Sequence, residues 1–427
     1  MNSGLLPGPR SDLRSTVDLP PSKSLTNRAL VAAAAAGGGT VVSPLDCGDT
    51  RILAAALAEA GWRVEWHEDI EVGERTTPPG PVRLDLGDSG TGARLILGLL
   101  AASAGNCTID GSPRLRERPL RQLLHPLEEL GAELHSENGC LPVAVEGRTL
   151  EGGAVTVRPE VSSQFVSSLL MAAPLMRRGL ALEVEGPLPS APYLDLTEDV
   201  LRAFGGEVTS SDDRRRWRVA PAPLRASRFP VEGDWSAAAF VVAAVGVAGG
   251  SVDLGPLDLR SRQADRAVLG VLSRAGIEIE EKGDRLRVFG PAQAPVVADL
   301  GDSPDLFPAV VVIGAAGAAG SRFSGLEHLQ HKESNRLAVM VENLQRLGAQ
   351  VREDGSSLVV DAPMHRESDA PRPVTAAGDH RIAMAMAVAA LAAGPLELDD
   401  PSCVAKSFPG FWKMWDRLLE NRERVGR

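Results

Sequence analysis

The chain has 427 residues, 44% hydrophobic and 24% charged, and carries a formal net charge of −11. That length exceeds the roughly 250–300 residues that one hydrophobic core supports, so two domains are expected, and the near-average composition excludes disorder and fibre. The negative charge opposes nonspecific binding to nucleic acid, so an anionic ligand must be held by a focused cluster of cations.

No stretch approaches the roughly 20 uninterrupted apolar residues of a membrane span, and residues 1–14 contain no apolar signal-peptide region. A cytoplasmic protein without membrane or nucleic-acid partners is the expectation. The four cysteines, Cys47, Cys107, Cys140 and Cys403, stand apart with no Cys-x-x-Cys or Cys/His cluster. Free thiols are expected, with neither a disulfide framework nor a metal site.

Along the chain one unit recurs with a period of about 70 residues, the signature of an internal repeat. A Gly that stops an amphipathic helix and opens a short strand appears at Gly61, Gly131, Gly205, Gly276 and Gly348. Apolar residues three or four apart mark the preceding helix, as in Leu120, Leu123, Leu124, Leu127 and Leu130, and again in Leu337, Met340, Val341, Leu344 and Leu347. Each unit also has an earlier helix, small and apolar on all sides and therefore buried, predicted at 30–36, 95–102, 166–173, 237–245, 306–316 and 382–393. Gly-Gly turns at 37–39 and 249–250 lead into strands. The sixth copy ends in an amphipathic helix expected to carry Phe408, Phe411, Met414, Trp415 and Leu418. Six units outgrow one core, so three per domain is the simplest partition, with a crossover near 230–234.

The buried helices begin with Ser22-Lys23-Ser24, Ser89-Gly90-Thr91, Ser162-Ser163-Gln164, Pro304-Asp305 and Asp379-His380-Arg381. A helix N-terminus presents unpaired N–H groups and favours anions, although Ser, Thr and Asp there also serve as ordinary caps. Caps do not require the accompanying cations Lys23, Arg28, Arg94, Arg118, Lys332, Arg336, Arg381 and Lys406. Their recurrence beside the same elements points to ligands with several negative charges. Dinucleotide and ATP-binding glycine motifs are absent, as is His-Glu-x-x-His. Gly87-Asp88-Ser89-Gly90 looks superficially like a serine-protease nucleophile segment, but the upstream His67 is too near to belong to such a barrel.

Taken in order, Leu19-Pro20-Pro21-Ser22-Lys23-Ser24-Leu25-Thr26-Asn27-Arg28, Gly87-Asp88-Ser89-Gly90-Thr91, Pro113-Arg114-Leu115-Arg116-Glu117-Arg118-Pro119, Ser162-Ser163-Gln164-Phe165, Pro192-Tyr193-Leu194-Asp195, Glu232-Gly233-Asp234, Pro304-Asp305, Lys332-Glu333-Ser334-Asn335-Arg336, Asp379-His380-Arg381 and Lys406-Ser407-Phe408-Pro409 closely resemble the 5-enolpyruvylshikimate-3-phosphate synthases. The resemblance covers nearly the whole chain. It implies an inside-out α/β fold of two domains, each of three βαβαββ repeats, one from 20 to 232 and the other from 1–19 plus 233–427. It also implies transfer of the enolpyruvyl group of phosphoenolpyruvate to the 5-hydroxyl of shikimate 3-phosphate, without metal or organic cofactor, by a monomer that closes on the acceptor.

By the same resemblance shikimate 3-phosphate meets Lys23, Ser24, Arg28, Ser162, Ser163, Gln164, Tyr193, Asp305 and Lys332. Phosphoenolpyruvate meets Lys23, Gly90, Arg118, Gln164, Arg336, Arg381 and Lys406. Catalysis falls to Lys23, Asp305, Glu333 and His380, with Glu333 moving the methylene proton and Asp305 orienting and helping to deprotonate the hydroxyl. Cations around Glu333 are expected to depress its pKa while desolvation on closure opposes them. Three positions depart from the family pattern: Asn335 replaces an Asp, His328 replaces Asn or Leu, and Leu95 replaces Pro. Two rival readings are the sister transferase that acts on UDP-N-acetylglucosamine, which typically has a reactive Cys in a Gly-rich loop, and a catalytically silent binding homologue.

Overall fold

The computed structural model describes residues 4–367 and 369–420. The chain divides into two compact units, Pro21–Val231 and the pair of segments Met1–Pro20 and Glu232–Arg427. Residues 1–3 and 421–427, assigned above to the discontinuous domain, lie outside the described residues. Each unit has its own hydrophobic core.

One repeat shows how the pattern works. Strand Val82–Asp85 runs parallel to Gly105–Asp110, which pairs antiparallel with Val143–Gly147, which pairs antiparallel with Glu133–His135. Helix Gly90–Ala101 joins the first two strands, and helix Arg121–Glu129 leads to the last two. This is a βαβαββ unit, and it recurs over Gly153–Val219 with the same strand order. The third sheet of the unit takes its first strand from the far end of the segment, since Arg228–Pro230 lies parallel to Gly39–Val42.

The other unit repeats the arrangement. Leu13–Asp18 lies parallel to Gly250–Gly255, so the whole of Pro21–Val231 is inserted between that first strand and its helix Trp235–Ala248. The second sheet runs from Val297–Asp299 through Ser357–Ala362. The last repeat departs from the expected pattern: its sheet has three strands, Arg372–Val374, Leu396–Leu398 and the N-terminal Leu5–Leu6. The chain then closes with helix Phe411–Leu419. Phe408 precedes this helix instead of belonging to it, and is buried with its ring edge-on to Phe411 at 5.7 Å.

The six all-apolar stretches form the helices Lys23–Ala35, Gly90–Ala101, Gln164–Ala172, Trp235–Ala248, Phe307–Ala316 and His380–Ala393. Within each unit the three inner helices pack on one another. Small residues make this possible. Gly98 lies so close to the neighbouring inner helix that a Cβ there would stand 2.7 Å from the carbonyl oxygen of Ser168. The five repeat-marking glycines all take positive φ at the helix end; at Gly61 (φ +103°) a Cβ would also meet the Thr76 carbonyl oxygen at 2.1 Å.

Because the atom opposing Gly98 is backbone and cannot turn aside, Gly98→Ala is expected to lower stability by about 1–3 kcal/mol through overpacking. Urea unfolding followed by circular dichroism checks this as a lower midpoint at unchanged slope.

Candidate active site

In the unit Pro21–Val231 the polar residues gather at the N-terminal ends of the inner helices. Lys23 opens the first, and its Nζ donates to Asp49 Oδ2 at 2.9 Å with both side chains buried. One turn on, Arg28 is 1% exposed. Its Nε donates to Thr197 Oγ1 at 2.9 Å, and its terminal nitrogens donate to the Ser24 carbonyl at 3.0 Å, the Tyr193 carbonyl at 3.3 Å and Ser167 Oγ at 3.4 Å. All four acceptors are neutral. Burial pushes the Arg28 pKa down to about 10, which still leaves the guanidinium charged at neutral pH. A buried cation held only by neutral groups is a costly arrangement that a bound anion would relieve.

The second and third inner helices are joined by Arg94. Its Nη1 donates to Gln164 Oε1 at 2.9 Å and to Ser162 Oγ at 3.2 Å, while Gln164 Nε2 donates to Thr91 Oγ1 at 2.9 Å. The guanidinium also lies over the Phe165 ring, 4.9 Å from its centroid. Arg118, 6% exposed, sits against Gly90, where a Cβ would stand 2.2 Å from its Nη1. Ser89 precedes Gly90 and is fully buried, yet its hydroxyl neither caps the helix nor finds another partner among the described residues. Ser22 and Ser163 likewise make no side-chain cap. At these three serines the ordinary capping explanation fails, and the N-terminus of a 12-residue helix, a buried hydroxyl and a guanidinium lie together at Gly90, an arrangement that favours an anion.

The unit Glu232–Arg427 has the opposite character. Arg336 is fully buried and ties three carboxylates together: its Nε donates to Asp379 Oδ2, one terminal nitrogen to Asp305 Oδ1 and the other to Glu333 Oε2, each at 2.9 Å. Arg381 donates to the other oxygen of Asp305 at 2.7 Å, and Asp379 caps the last inner helix by accepting from the Arg381 backbone N–H at 2.9 Å. Arg336 and Asp379 have no exposed side-chain surface, whereas the Glu333 and Asp305 side chains keep 17% and 22%. The two outward carboxylates are therefore braced from behind. Burial works to raise the Asp305 pKa, but Arg381, Arg336 and Lys332 overcome it and hold the group well below the usual carboxylate range. Burial opposes the charge on Arg336 too, and Asp379, Glu333 and Asp305 outweigh it, raising its pKa.

His380 is fully buried, with Nδ1 4.0 Å from Asp379 Oδ1. Lys332 follows the turn Glu327–His331, and Lys406 ends the turn Pro401–Lys406. His328, one of the departures, is buried with no partner for Nε2 among the described residues. Burial, then Lys332, pushes its pKa down to about 3, so it stands as a neutral group, as the Asn or Leu of the family pattern would. Asn335 caps helix Arg336–Arg346 by accepting from the Ala338 N–H at 3.3 Å. Arg336 is oriented by Asp379, Asp305 and Glu333, so the charge missing at Asn335 is supplied from elsewhere.

Within each unit, then, most expected site residues are gathered at inner-helix ends: Ser24, Arg28 and Tyr193; Gly90, Arg118, Ser162, Ser163 and Gln164; Asp305, Glu333, Arg336, His380 and Arg381. Sequence reasoning missed Asp49, Thr91, Ser167 and Thr197, and took Asp379 for a helix start without its part in holding Arg336. Only Thr91 and Asp379 had a local signal, their place beside a helix N-terminus. Among the described residues no group of three or more His, Cys, Asp or Glu is placed to hold a metal ion, and no helix is long and apolar enough to cross a membrane.

Each unit is built from three α/β repeats around three inner helices, and solved structures share this fold. An EPSP synthase from Acinetobacter baumannii superposes with a TM-score of 0.77 at 23% identity, covering 97% of this chain and 98% of that one. The enolpyruvyl transferase NikO from Streptomyces tendae gives a TM-score of 0.77 at 16% identity, covering 97% of each chain. At these identities the likeness speaks for the fold. The sequence model described as EPSP synthase (3-phosphoshikimate 1-carboxyvinyltransferase) matches residues 7–415. Curated 3-phosphoshikimate 1-carboxyvinyltransferases from Syntrophobacter fumaroxidans and Methanospirillum hungatei are 37% and 35% identical, covering 96% and 94% of this chain and 98% and 95% of theirs. The chain belongs to the EPSP synthase family.

Removing the brace tests the electrostatic account. Arg336→Met leaves buried carboxylates without their cation and is expected to destabilise the protein by about 3–5 kcal/mol near neutrality. The Asp305 pKa is lower folded than its ordinary 3.8, so its stabilisation is present above that value and is lost as pH falls through the folded one. The gap between variant and wild type in thermal melts is therefore widest near neutral pH and narrows in acid.

Proposed function

We propose that this protein is a 3-phosphoshikimate 1-carboxyvinyltransferase, transferring the enolpyruvyl group of phosphoenolpyruvate to the 5-hydroxyl of shikimate 3-phosphate with release of phosphate. The observation that carries the reading is the pairing of two kinds of site in one chain: a buried arginine, Arg28, held by neutral acceptors near an inner-helix N-terminus, and carboxylates braced by a second buried arginine, Arg336. The first kind suits the phosphates and carboxylates of both substrates. The second suits proton movement at a carbon centre and at a hydroxyl.

In this reading Lys23, Ser24, Arg28, Ser162, Ser163, Gln164, Tyr193, Asp305 and Lys332 hold the acceptor, and Lys23, Gly90, Arg118, Gln164, Arg336, Arg381 and Lys406 hold the donor. Glu333 gives a proton to the methylene carbon of phosphoenolpyruvate, the acceptor oxygen bonds to C2 as its own proton passes to the donor's phosphate group, and a tetrahedral adduct forms. The C2–oxygen bond to phosphate then breaks, and Glu333 takes a proton back from the methyl group to restore the double bond. The depressed pKa of Asp305 favours the orienting half of its expected part: a carboxylate that stays ionised accepts the hydroxyl hydrogen bond well and takes up the proton poorly. Full burial of His380 beside Asp379 fits support of that carboxylate. No step calls for a metal or organic cofactor, and a monomer in the cytoplasm suffices for this chemistry.

The rival UDP-N-acetylglucosamine reading gains nothing from Cys107. It lies in strand Gly105–Asp110, and burial pushes its thiol up to about 11, far from a nucleophilic thiolate. Phosphate release from phosphoenolpyruvate, with shikimate 3-phosphate or UDP-N-acetylglucosamine as acceptor and a chelator present, decides between them; release is expected with shikimate 3-phosphate alone. Glu333→Gln is expected to lower kcat by about two to four orders of magnitude while shikimate 3-phosphate binding persists in calorimetry. A methyl group at Gly90 displaces the flexible end of Arg118 without disturbing backbone. Gly90→Ala is therefore expected to raise the KM for phosphoenolpyruvate at nearly unchanged stability, in steady-state kinetics alongside thermal melts.

A further inference from the structure

Thr197 lies inside helix Pro192–Ala203 with no exposed surface. A threonine within a helix commonly turns its hydroxyl back to the carbonyl four residues earlier, and the Tyr193 oxygen stands there at 3.3 Å. A closer acceptor competes with it. Ser167 Oγ, on helix Gln164–Ala172, is 2.9 Å from Thr197 Oγ1 and is itself fully buried. With its hydrogen directed to Ser167, the Thr197 oxygen keeps a lone pair for Arg28 Nε at 2.9 Å. Ser167 Oγ also accepts from Arg28 Nη2 at 3.4 Å, which closes a ring of three side chains drawn from three helices. Valine has nearly the shape of threonine and would fill the position without a buried hydroxyl, so packing alone does not account for Thr197.

A count of donors shows what the ring does to Arg28. A guanidinium has five N–H groups. Nε directs its one to Thr197, Nη2 directs its two to Ser167 and the Tyr193 carbonyl, and Nη1 gives one to the Ser24 carbonyl. Among the described residues the second N–H of Nη1 has no acceptor. Since Arg28 is 1% exposed, a ligand does not meet the guanidinium as a two-pronged fork but through that one N–H. The four bonds to the protein set its direction. Hydroxyls and carbonyls hold the group without cancelling its charge, which a carboxylate in the place of Thr197 would do.

We propose that Thr197, backed by Ser167, is a positioning residue for the acceptor substrate: it holds Arg28 by Nε so that the remaining Nη1 hydrogen is aimed at one oxygen of that substrate. The proposal rests on the reading of Arg28 as a shikimate 3-phosphate contact. Its mark is a weaker affinity for the acceptor that follows the hydroxyl at position 197 and not the stability of the fold.

The test separates hydroxyl from methyl. Thr197→Val keeps the volume and removes the hydrogen bond, whereas Thr197→Ser keeps the hydrogen bond and removes a methyl group. In calorimetry Thr197→Val is expected to raise the Kd for shikimate 3-phosphate about tenfold, the worth of one hydrogen bond to a charged group. At saturating acceptor its kcat and its KM for phosphoenolpyruvate stay within about twofold of the wild type. Thr197→Ser is expected to bind the acceptor as the wild type does although thermal melts show a lower Tm. Ser167→Ala, which frees the Thr197 hydroxyl to turn to the Tyr193 carbonyl, gives a smaller rise in Kd, and it decides the matter with Thr197→Ser if the valine variant does not fold.

Wild-type affinity in Thr197→Val, or in Ser167→Ala where the valine variant does not fold, overturns the inference and leaves the transfer reading standing. Affinity that falls in step with Tm across the variants overturns it too, since the effect would then be one of general loosening. A wild type that does not bind shikimate 3-phosphate overturns the acceptor reading itself, and the inference with it.

Discussion

An inner helix that is apolar on every side has to be covered on every side. In both units the cover comes from the other two inner helices and from the sheets around them, and the close approach at Gly98 shows how little room remains. Polar groups therefore concentrate toward the ends of those helices, and the N-terminal ends carry unpaired N–H groups and partial positive charge. Three of them bring Lys23, Gly90 and Gln164 to one unit, and two bring Asp305, with Asp379 and Arg381, to the other.

Buried charge is handled in two ways. In Pro21–Val231, Arg28 is held by a hydroxyl pair and two carbonyls, and Arg118 leaves Nε without a partner. Such a site is incomplete electrostatically, which is the condition that favours an anion. In the other unit Arg336 and Arg381 meet carboxylates, and Arg336 is as fully buried as any apolar residue. Compensated charge of this kind does little to attract an anion by itself. It fixes carboxylates at defined positions and ionisation states, which proton transfer requires.

The departures from the family pattern fit the same logic. An imidazole at His328 would add a fourth cation if protonated, but burial and Lys332 keep it neutral. Asn335 gives up a negative charge, and Asp379 already holds Arg336 at two nitrogens. Neither substitution removes a carboxylate that holds Arg336.

What the sequence determined by itself was local and periodic. A glycine at a helix end, an all-apolar run and an amphipathic stripe each reflect contacts within a few residues or with a uniform surrounding, and their repetition every 70 residues or so made six repeats and two domains legible. The motif residues at the helix N-termini were legible for the same reason. What only the tertiary structure decided was the pairing of groups far apart in the chain: Lys23 with Asp49, Arg28 with Thr197 169 positions away, and Arg336 with Asp379 43 positions away. The insertion of Pro21–Val231 after strand Leu13–Asp18, and the loan of Leu5–Leu6 to the last sheet, belong here as well. Electrostatic energy depends on distance and on burial, and for groups drawn from separate segments neither exists until the chain has folded.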